Sequence, residues 1–209
     1  MKTLLEPLIL YFVLFFPAVL SFGDPVSDAV FSPAGEFNRI FFYNVPSLAL
    51  IWYLVFMAKP VKQLAGRYFR IKDLFAFVIS LPALILISFS ISLASNLMNM
   101  PAQTLPVPAH PAGWILLCLS CLSTGYLEES YFRFYLLNRL EEAGSAVGIR
   151  VLSPTLLFAV CHIYEGPLGL LNSILAALIL SFVYTKYRSL HGIALAHGAY
   201  NFIVYLLSG

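Results

Sequence analysis

Long apolar runs separated by short polar segments dominate this chain. A helix needs about 20 apolar residues to cross a bilayer core about 30 Å thick, and seven runs have the composition of such spans. They are Leu8–Phe22, Ile40–Ala58, Leu74–Ser95, a run that opens near Ala112, Val151–Ile163, Leu168–Tyr184 and Gly192–Leu207. The pattern predicts an all-α, polytopic transmembrane helical bundle of about seven spans, with the first span an uncleaved anchor.

The fourth run differs from the others in its length. After Gly125 it continues without glycine or proline to Glu142, and its character changes from apolar to amphipathic. This predicts either one long tilted helix or a span followed by a helix that lies on the membrane surface. In both cases the helix ends before Gly144.

The composition supports a membrane protein. Of the 209 residues, 60% are hydrophobic and 11% are charged, whereas a soluble domain carries about 25% charged residues. The apolar excess must therefore face the lipid bilayer. The twelve basic residues lie in short gaps, without the clustering that nucleic-acid binding needs. The cysteines lie in apolar runs, which favours core packing over disulfides: Cys118, Cys121 and Cys161.

The basic residues also predict the orientation of the chain, because cytoplasmic loops carry an excess of lysine and arginine. With seven spans and a cytoplasmic N-terminus, only Arg39 falls outside. The other eleven fall on the cytoplasmic side: Lys2, Lys59, Lys62, Arg67, Arg70, Lys72, Arg133, Arg139, Arg150, Lys186 and Arg188. We therefore expect the C-terminus to lie outside the cytoplasm.

Polar side chains interrupt three of the later spans. A charged group within a span costs about 2.5 to 3.5 kcal/mol on insertion, so it is a functional candidate by default. Glu128 and Glu129 are followed by Arg133, four residues after Glu129, which suits an ion pair on one helix face. His162 lies near the end of the predicted fifth span, four residues after Phe158. In the predicted seventh span, His197 and Asn201 are also four residues apart.

The three polar segments are predicted to lie at one depth. If the fourth and fifth helices form a hairpin that turns near Ser145, Glu128 lies 17 residues before the turn (128 to 145) and His162 lies 17 after it (145 to 162). His197 follows the turn at Ser189 and reaches a similar depth at 1.5 Å per residue. We therefore expect one active site, buried among the late helices and open toward the cytoplasm.

These residue types supply the groups that peptide hydrolysis needs. We expect Glu128 to activate water, assisted by His162, while His197 and Asn201 stabilise the oxyanion of the tetrahedral intermediate. Glu129 and Arg133 are supporting residues that hold the helix carrying the base. Ser130, Thr124 and Cys161 are poor candidates for a nucleophile, because none has a histidine at helical spacing.

The combination resembles a known family. Glu-Glu-x-x-x-Arg at 128–133, Phe-x-x-x-His at 158–162 and His-x-x-x-Asn at 197–201, in that order in late membrane helices, resemble the CPBP family. This family contains the type II CAAX prenyl endopeptidases and bacterial Abi-type proteins. The resemblance implies an intramembrane protease in which the first glutamate and first histidine activate water and the later histidine and asparagine form the oxyanion site. It also makes Phe158 a supporting residue.

The resemblance covers about Trp114 to Tyr205. We expect one membrane domain in two parts, with N-terminal membrane helices over residues 1–110 and a catalytic helical core over residues 111–209. The partner that the resemblance implies is a peptide or protein substrate, and lipidated and membrane-embedded substrates both remain open. The family often has glycine directly after the motif arginine, where this chain has Phe134.

Two alternatives remain open at this stage. Glu128, His162 and His197 have the ligand types of a catalytic zinc site, although the absence of a His-Glu-x-x-His motif favours a mechanism without a metal or other cofactor. The second alternative is a non-proteolytic protein, either a bacteriocin-immunity type or a proton or ion carrier that uses Glu128 and His162 as a relay. An amide at Asn201, which does not titrate, favours hydrolysis.

Overall fold

The described part of the chain in the computed structural model comprises residues 2–21, 30–57, 68–99 and 105–208. Within it, seven helices follow one another: α1 Lys2–Leu14, α2 Pro33–Met57, α3 Ile71–Leu97, α4 over 111–142, α5 Val147–Val160, α6 Gly166–Tyr187 and α7 Leu190–Ser208. The all-α bundle predicted from the apolar runs is confirmed. Some predicted positions lie outside the described residues: Phe22, Ala58, Lys59, Lys62 and Arg67.

Four helical stretches within the described residues are long and apolar enough to cross a membrane. They are Pro33–Met57, Ile71–Leu97, Ile163–Tyr187 and Leu190–Ser208, while α1 and α5 contain shorter apolar helices. The fold is thus a polytopic membrane bundle, and the count of seven crossings stays a prediction. The first helix ends at Leu14, and a 3₁₀ helix follows over Phe16–Ser21. Pro17 lies in this second segment, where it supplies no N–H for an α-helical hydrogen bond.

Helix α4 is continuous across the region where two alternatives were predicted. It runs as α-helix over Pro111–Glu129, as π-helix over Ser130–Leu137 and again as α-helix over Asn138–Glu142. Every residue of the π segment is buried, so the alternative of a surface helix is wrong. The large side chains of this segment face other helices on all sides, which an interfacial helix would not allow.

Helices α4 and α7 approach each other closely through glycine. A Cβ atom on Gly125 would lie 2.7 Å from the backbone nitrogen of Gly198, and a Cβ atom on Gly198 would lie 2.8 Å from the Cα of Leu122. Small residues are the usual means of close helix packing in membranes, where lipid supplies no hydrophobic driving force between helices. The contact brings the glutamates of α4 against the histidine of α7.

Ionic contacts gather at the end of the bundle where α1 begins. Glu141 accepts hydrogen bonds from both terminal nitrogens of Arg188, at 2.6 and 2.9 Å, and its carboxylate also lies 3.1 Å from Arg150. Arg139 lies 3.8 Å from Glu6 of α1. Arg133 was predicted from the sequence to lie on the cytoplasmic side with these cations, but it is not part of this end of the bundle. Its side chain is fully buried within the bundle, so it carries no information about orientation.

We predict that Gly198→Ala destabilises the protein by about 1–3 kcal/mol, because overpacking forces the backbones of α4 and α7 apart. Thermal unfolding in detergent measures the effect. Gly148→Ala is the matched control, since a Cβ atom there meets nothing within 4 Å and alanine favours helix. Equal melting temperatures for the two variants would contradict the close contact.

Candidate active site

A cavity of about 770 Å³ lies among helices α2, α4, α5, α6 and α7. Its lining includes every residue predicted to act in catalysis and one predicted supporting residue: Glu128, His162, His197, Asn201 and Phe158. The structure therefore brings together side chains from three helices that are far apart in sequence. Glu129 and Arg133 are not among the residues that line the cavity, and both are buried.

Glu129 is the centre of a buried polar network. Its Oε1 atom accepts one hydrogen bond from Arg133 Nη1 and another from His197 Nδ1, each at 2.8 Å. The side chains of Glu129 and Arg133 are 0% exposed. The predicted ion pair within α4 is present, and Glu129 has a second partner on α7 that the sequence pattern did not indicate.

Arg133 completes this network with neutral partners on α6. Its Nη2 atom donates to the carbonyl of Ala177 at 3.2 Å, and its Nε atom donates to Ser181 Oγ at 3.4 Å. The guanidinium also lies over the Phe158 ring, 5.0 Å from the ring centroid. A buried charge is tolerated when it is paired and hydrogen-bonded, and these contacts meet that condition.

The hydrogen bond of His197 Nδ1 to Glu129 determines the direction in which Nε2 of the same ring points. Because Nδ1–H donates to the Glu129 carboxylate, Nε2 faces the cavity, where it lies 3.6 Å from Glu128 Oε2. That carboxylate oxygen is buried and has no hydrogen-bond partner within the described residues. An unsatisfied carboxylate oxygen in a cavity is suited to accept a proton from water.

His162 lies in the turn just after α5 and not within the helix, and the last turn of α5 holds its ring. Its Nδ1 atom donates to the carbonyl of Phe158 at 2.8 Å, and its ring stacks on the Phe158 ring with centroids 4.3 Å apart. The carbonyl accepts only, so Nδ1 carries the proton and Nε2 of the neutral ring keeps a lone pair. The Phe158 ring also lies 5.9 Å from the His197 ring, which makes it a spacer between the two histidines.

The cavity is also lined by polar residues that sequence reasoning missed, among them Arg39, Tyr43, Asn44 and Glu165. Arg39 and Asn44 bound a π-helical segment of α2, and Asn44 Nδ2 donates to Ser123 Oγ at 2.8 Å and Thr124 Oγ1 at 3.0 Å on α4. Polarity inside an apolar run was the available signal for Asn44. Glu165 lies three residues after His162 and reaches Ser173 Oγ, 3.5 Å away.

The structure gives no support to a serine or threonine nucleophile at the predicted carboxylates. Ser130 is buried away from the cavity lining and accepts a hydrogen bond from Trp52 at 3.3 Å. Thr124 lines the cavity, and its Oγ1 atom accepts a hydrogen bond from Asn44 Nδ2 at 3.0 Å. Cys161 lies 3.5 Å from His162 Nδ1, but that nitrogen donates to a carbonyl and has no lone pair to take the thiol proton. The cysteines are unpaired with one another, as expected.

Metal binding was an open alternative. Within residues 2–21, 30–57, 68–99 and 105–208, no three histidine, cysteine, aspartate or glutamate side chains are grouped so that they could hold a metal ion. The alternative ligand set of Glu128, His162 and His197 is therefore not assembled as a metal site in this structure.

The exposed part of the cavity lies at one end of the bundle. Its lining reaches Ser208 at the end of α7, Leu105 before α4 and Arg39 in α2. The N-terminal start of α1 contacts Arg139, near the opposite end of α4. A cytoplasmic N-terminus and a cavity open toward the cytoplasm, both expected from the sequence, thus exclude each other.

Comparison with known proteins identifies the region that carries the site. Residues 109–203 match the family model described as Rce1-like type II CAAX prenyl endopeptidase. No curated protein and no solved structure matches the chain. The matched region begins just before α4 and contains all three polar motifs, which confirms the family expected from them.

We predict that Glu129→Gln destabilises the protein by about 3–5 kcal/mol, because it leaves the buried charge of Arg133 without a partner. The double variant Glu129→Gln/Arg133→Met removes that charge and should recover part of the loss. Thermal unfolding of purified protein measures both effects.

The matched control is Glu142→Gln, which breaks an ion pair with Arg139 at the edge of the bundle, at 3.1 Å. Exposed pairs contribute about 0–1 kcal/mol, so this variant should unfold close to the wild type. If Glu129→Gln and Glu142→Gln unfold at the same temperature, the network around Glu129 does not hold the bundle together.

Proposed function

We propose that the protein is an intramembrane endopeptidase whose water nucleophile is activated by Glu128, and the match of residues 109–203 to the Rce1-like family of type II CAAX prenyl endopeptidases supports this proposal. The observation that carries the proposal is the shared cavity. It joins an unsatisfied carboxylate oxygen, two oriented histidines and an amide in one cavity of about 770 Å³ between the helices.

Glu128 is the general base of the proposed reaction. Its free Oε2 takes a proton from water, and the water oxygen attacks the carbonyl carbon of the scissile peptide bond. His162 accepts a hydrogen bond from the same water through Nε2, because its Nδ1 proton is committed to the Phe158 carbonyl. The histidine thereby orients the water without being consumed.

His197 and Asn201 stabilise the charge that forms on the substrate oxygen. They lie four residues apart on α7, and both line the cavity. The Glu129 carboxylate at Nδ1 favours the imidazolium form of His197, as an aspartate does in a catalytic triad. Nε2–H and the Asn201 amide then donate to the oxyanion.

Collapse of the tetrahedral intermediate completes the reaction. The carbon–nitrogen bond breaks, and the proton held by Glu128 passes to the leaving amine. The products are a new carboxyl terminus and a new amino terminus. The carboxylate of Glu128 is regenerated, so the cycle requires only water and a peptide bond.

We expect Glu128→Gln to lower the rate of peptide cleavage by about 10²–10⁴-fold, the usual contribution of a general base, with little change in melting temperature. The assay uses protein in detergent with a prenylated CAAX peptide and a pool of membrane peptides. Ser130→Ala and Cys161→Ala should retain most activity, and so should the wild type in a strong chelator.

Loss of activity in Cys161→Ala with retention in Glu128→Gln would replace the proposal with a thiol mechanism. Loss of activity in chelator would favour the metal alternative. If folded wild-type protein cleaves no peptide in either set, the carrier or immunity alternative takes the place of the peptidase.

Asn201→Ala should lower kcat by about 10²–10³-fold with KM almost unchanged, because an oxyanion donor acts in the transition state and not in the ground state. Steady-state kinetics on a cleaved peptide measure the two constants. Asn172→Ala is the control, since that cavity amide donates to Tyr200 Oη at 3.1 Å. A raised KM with unchanged kcat in Asn201→Ala would assign Asn201 to substrate binding instead.

A further inference from the structure

The lining of the catalytic cavity leads from buried groups to one end of the bundle. The Glu128 side chain is 13% exposed and that of His197 is 7% exposed. Farther along the lining, the Arg39 side chain is 49% exposed and Ser208 is exposed at the end of α7. A peptide therefore reaches the carboxylate from the end of the bundle that carries Arg39 and Ser208.

The first helix begins at the other end. Tyr135 Oη donates to Glu6 Oε1 at 2.6 Å, and Tyr131 Oη donates to the carbonyl of Pro7 at 2.6 Å. Both tyrosines lie in α4 beyond Glu128, on the side away from Leu105 and Arg39. The start of α1 and the mouth of the cavity thus face opposite sides of the membrane.

The same two ends of the bundle differ in their number of positively charged side chains. Six cations lie at the end where α1 begins, in the first or last turns of helices or beside them: Arg70, Lys72, Arg139, Arg150, Lys186 and Arg188. At the cavity end, Arg39 is the one lysine or arginine among the side chains that the structure describes. Its guanidinium lies 3.5 Å from the Glu36 carboxylate. Arg133 lies inside the bundle and counts for neither.

The cations at the first end are fixed there by their contacts. Arg70 Nη2 donates to the carbonyl of Arg188 at 2.8 Å, and Arg188 and Arg150 share the carboxylate of Glu141. This hydrogen bonding raises the pKa of the Arg188 guanidinium, which keeps it charged. By the positive-inside rule, the end with six cations is the cytoplasmic end.

We propose that the catalytic cavity opens toward the non-cytoplasmic face of the membrane and takes peptide segments presented from that side, as exported or membrane-anchored polypeptides present them. The inference rests on the proposed peptidase function for the reaction and on the charge distribution for the side. A prenylated C-terminus in the cytoplasm would lie at the end of the bundle opposite the exposed part of the cavity lining.

The first test locates the two ends without using activity. Ala109 and Ala143 are exposed at opposite ends of α4, so Ala109→Cys and Ala143→Cys form a matched pair in a background with Cys118, Cys121 and Cys161 replaced by alanine. In intact spheroplasts, a membrane-impermeant maleimide should label Ala109→Cys and should label Ala143→Cys only after permeabilisation. The reverse pattern overturns the proposed side.

The second test measures cleavage by sealed membrane vesicles of either orientation. The probe is a hydrophilic, internally quenched peptide chosen because the protein cleaves it in detergent. Right-side-out vesicles should cleave the added peptide, inverted vesicles should not until detergent is added, and Glu128→Gln vesicles should be inactive in both cases. Cleavage by intact inverted vesicles alone overturns the inference and leaves the peptidase intact.

A different result separates the two proposals. If no peptide is cleaved in detergent, the proposed function fails and the substrate class fails with it, while the maleimide pattern still decides which end of the bundle faces the cytoplasm. Cleavage in detergent together with label on Ala143→Cys in intact spheroplasts preserves the peptidase and overturns the side.

Discussion

The buried carboxylate of Glu129 is the interaction on which the rest of the site depends. One oxygen accepts hydrogen bonds from Arg133 on its own helix and from His197 on α7. The arginine has no exposure to solvent, so its charge needs that partner. The same oxygen fixes the proton of His197 on Nδ1 and turns Nε2 toward Glu128. One carboxylate oxygen of Glu129 therefore both neutralises the buried Arg133 and orients the imidazole of His197.

This arrangement requires α4 and α7 to lie closer than ordinary side chains allow. Gly125 and Gly198 remove the Cβ atoms that would hold the backbones apart. In lipid, helices associate through close packing and polar contacts, because apolar burial alone gives no preference for protein over lipid. The glycine contact and the Glu129 network thus act on the same pair of helices, and each keeps the other in register.

Local spacing explains what was predictable from the sequence. The pair Glu129 and Arg133 and the pair His197 and Asn201 each lie four residues apart, so helix geometry alone places them on shared faces. The contact between Glu129 and His197 depends on the register of two helices far apart in sequence, which spacing does not encode. Counting residues from Ser145 predicted that Glu128 and His162 lie at the same depth, and the two residues do line one cavity. A shared depth does not show which end of that cavity is open.

The π-helical segment of α4 lies between the catalytic candidate Glu128 and the ionic contacts of Arg139. Its hydrogen bonds skip one residue more than those of an α-helix, so Ser130–Leu137 holds an additional residue within the turn. Removing a single residue there would rotate everything beyond it by about 100°, carrying Arg139 away from Glu6 while Glu128 stayed in place. The number of residues between 129 and 138 therefore sets the rotation of one end of α4 relative to the other, and an insertion or deletion changes that rotation whereas a substitution does not.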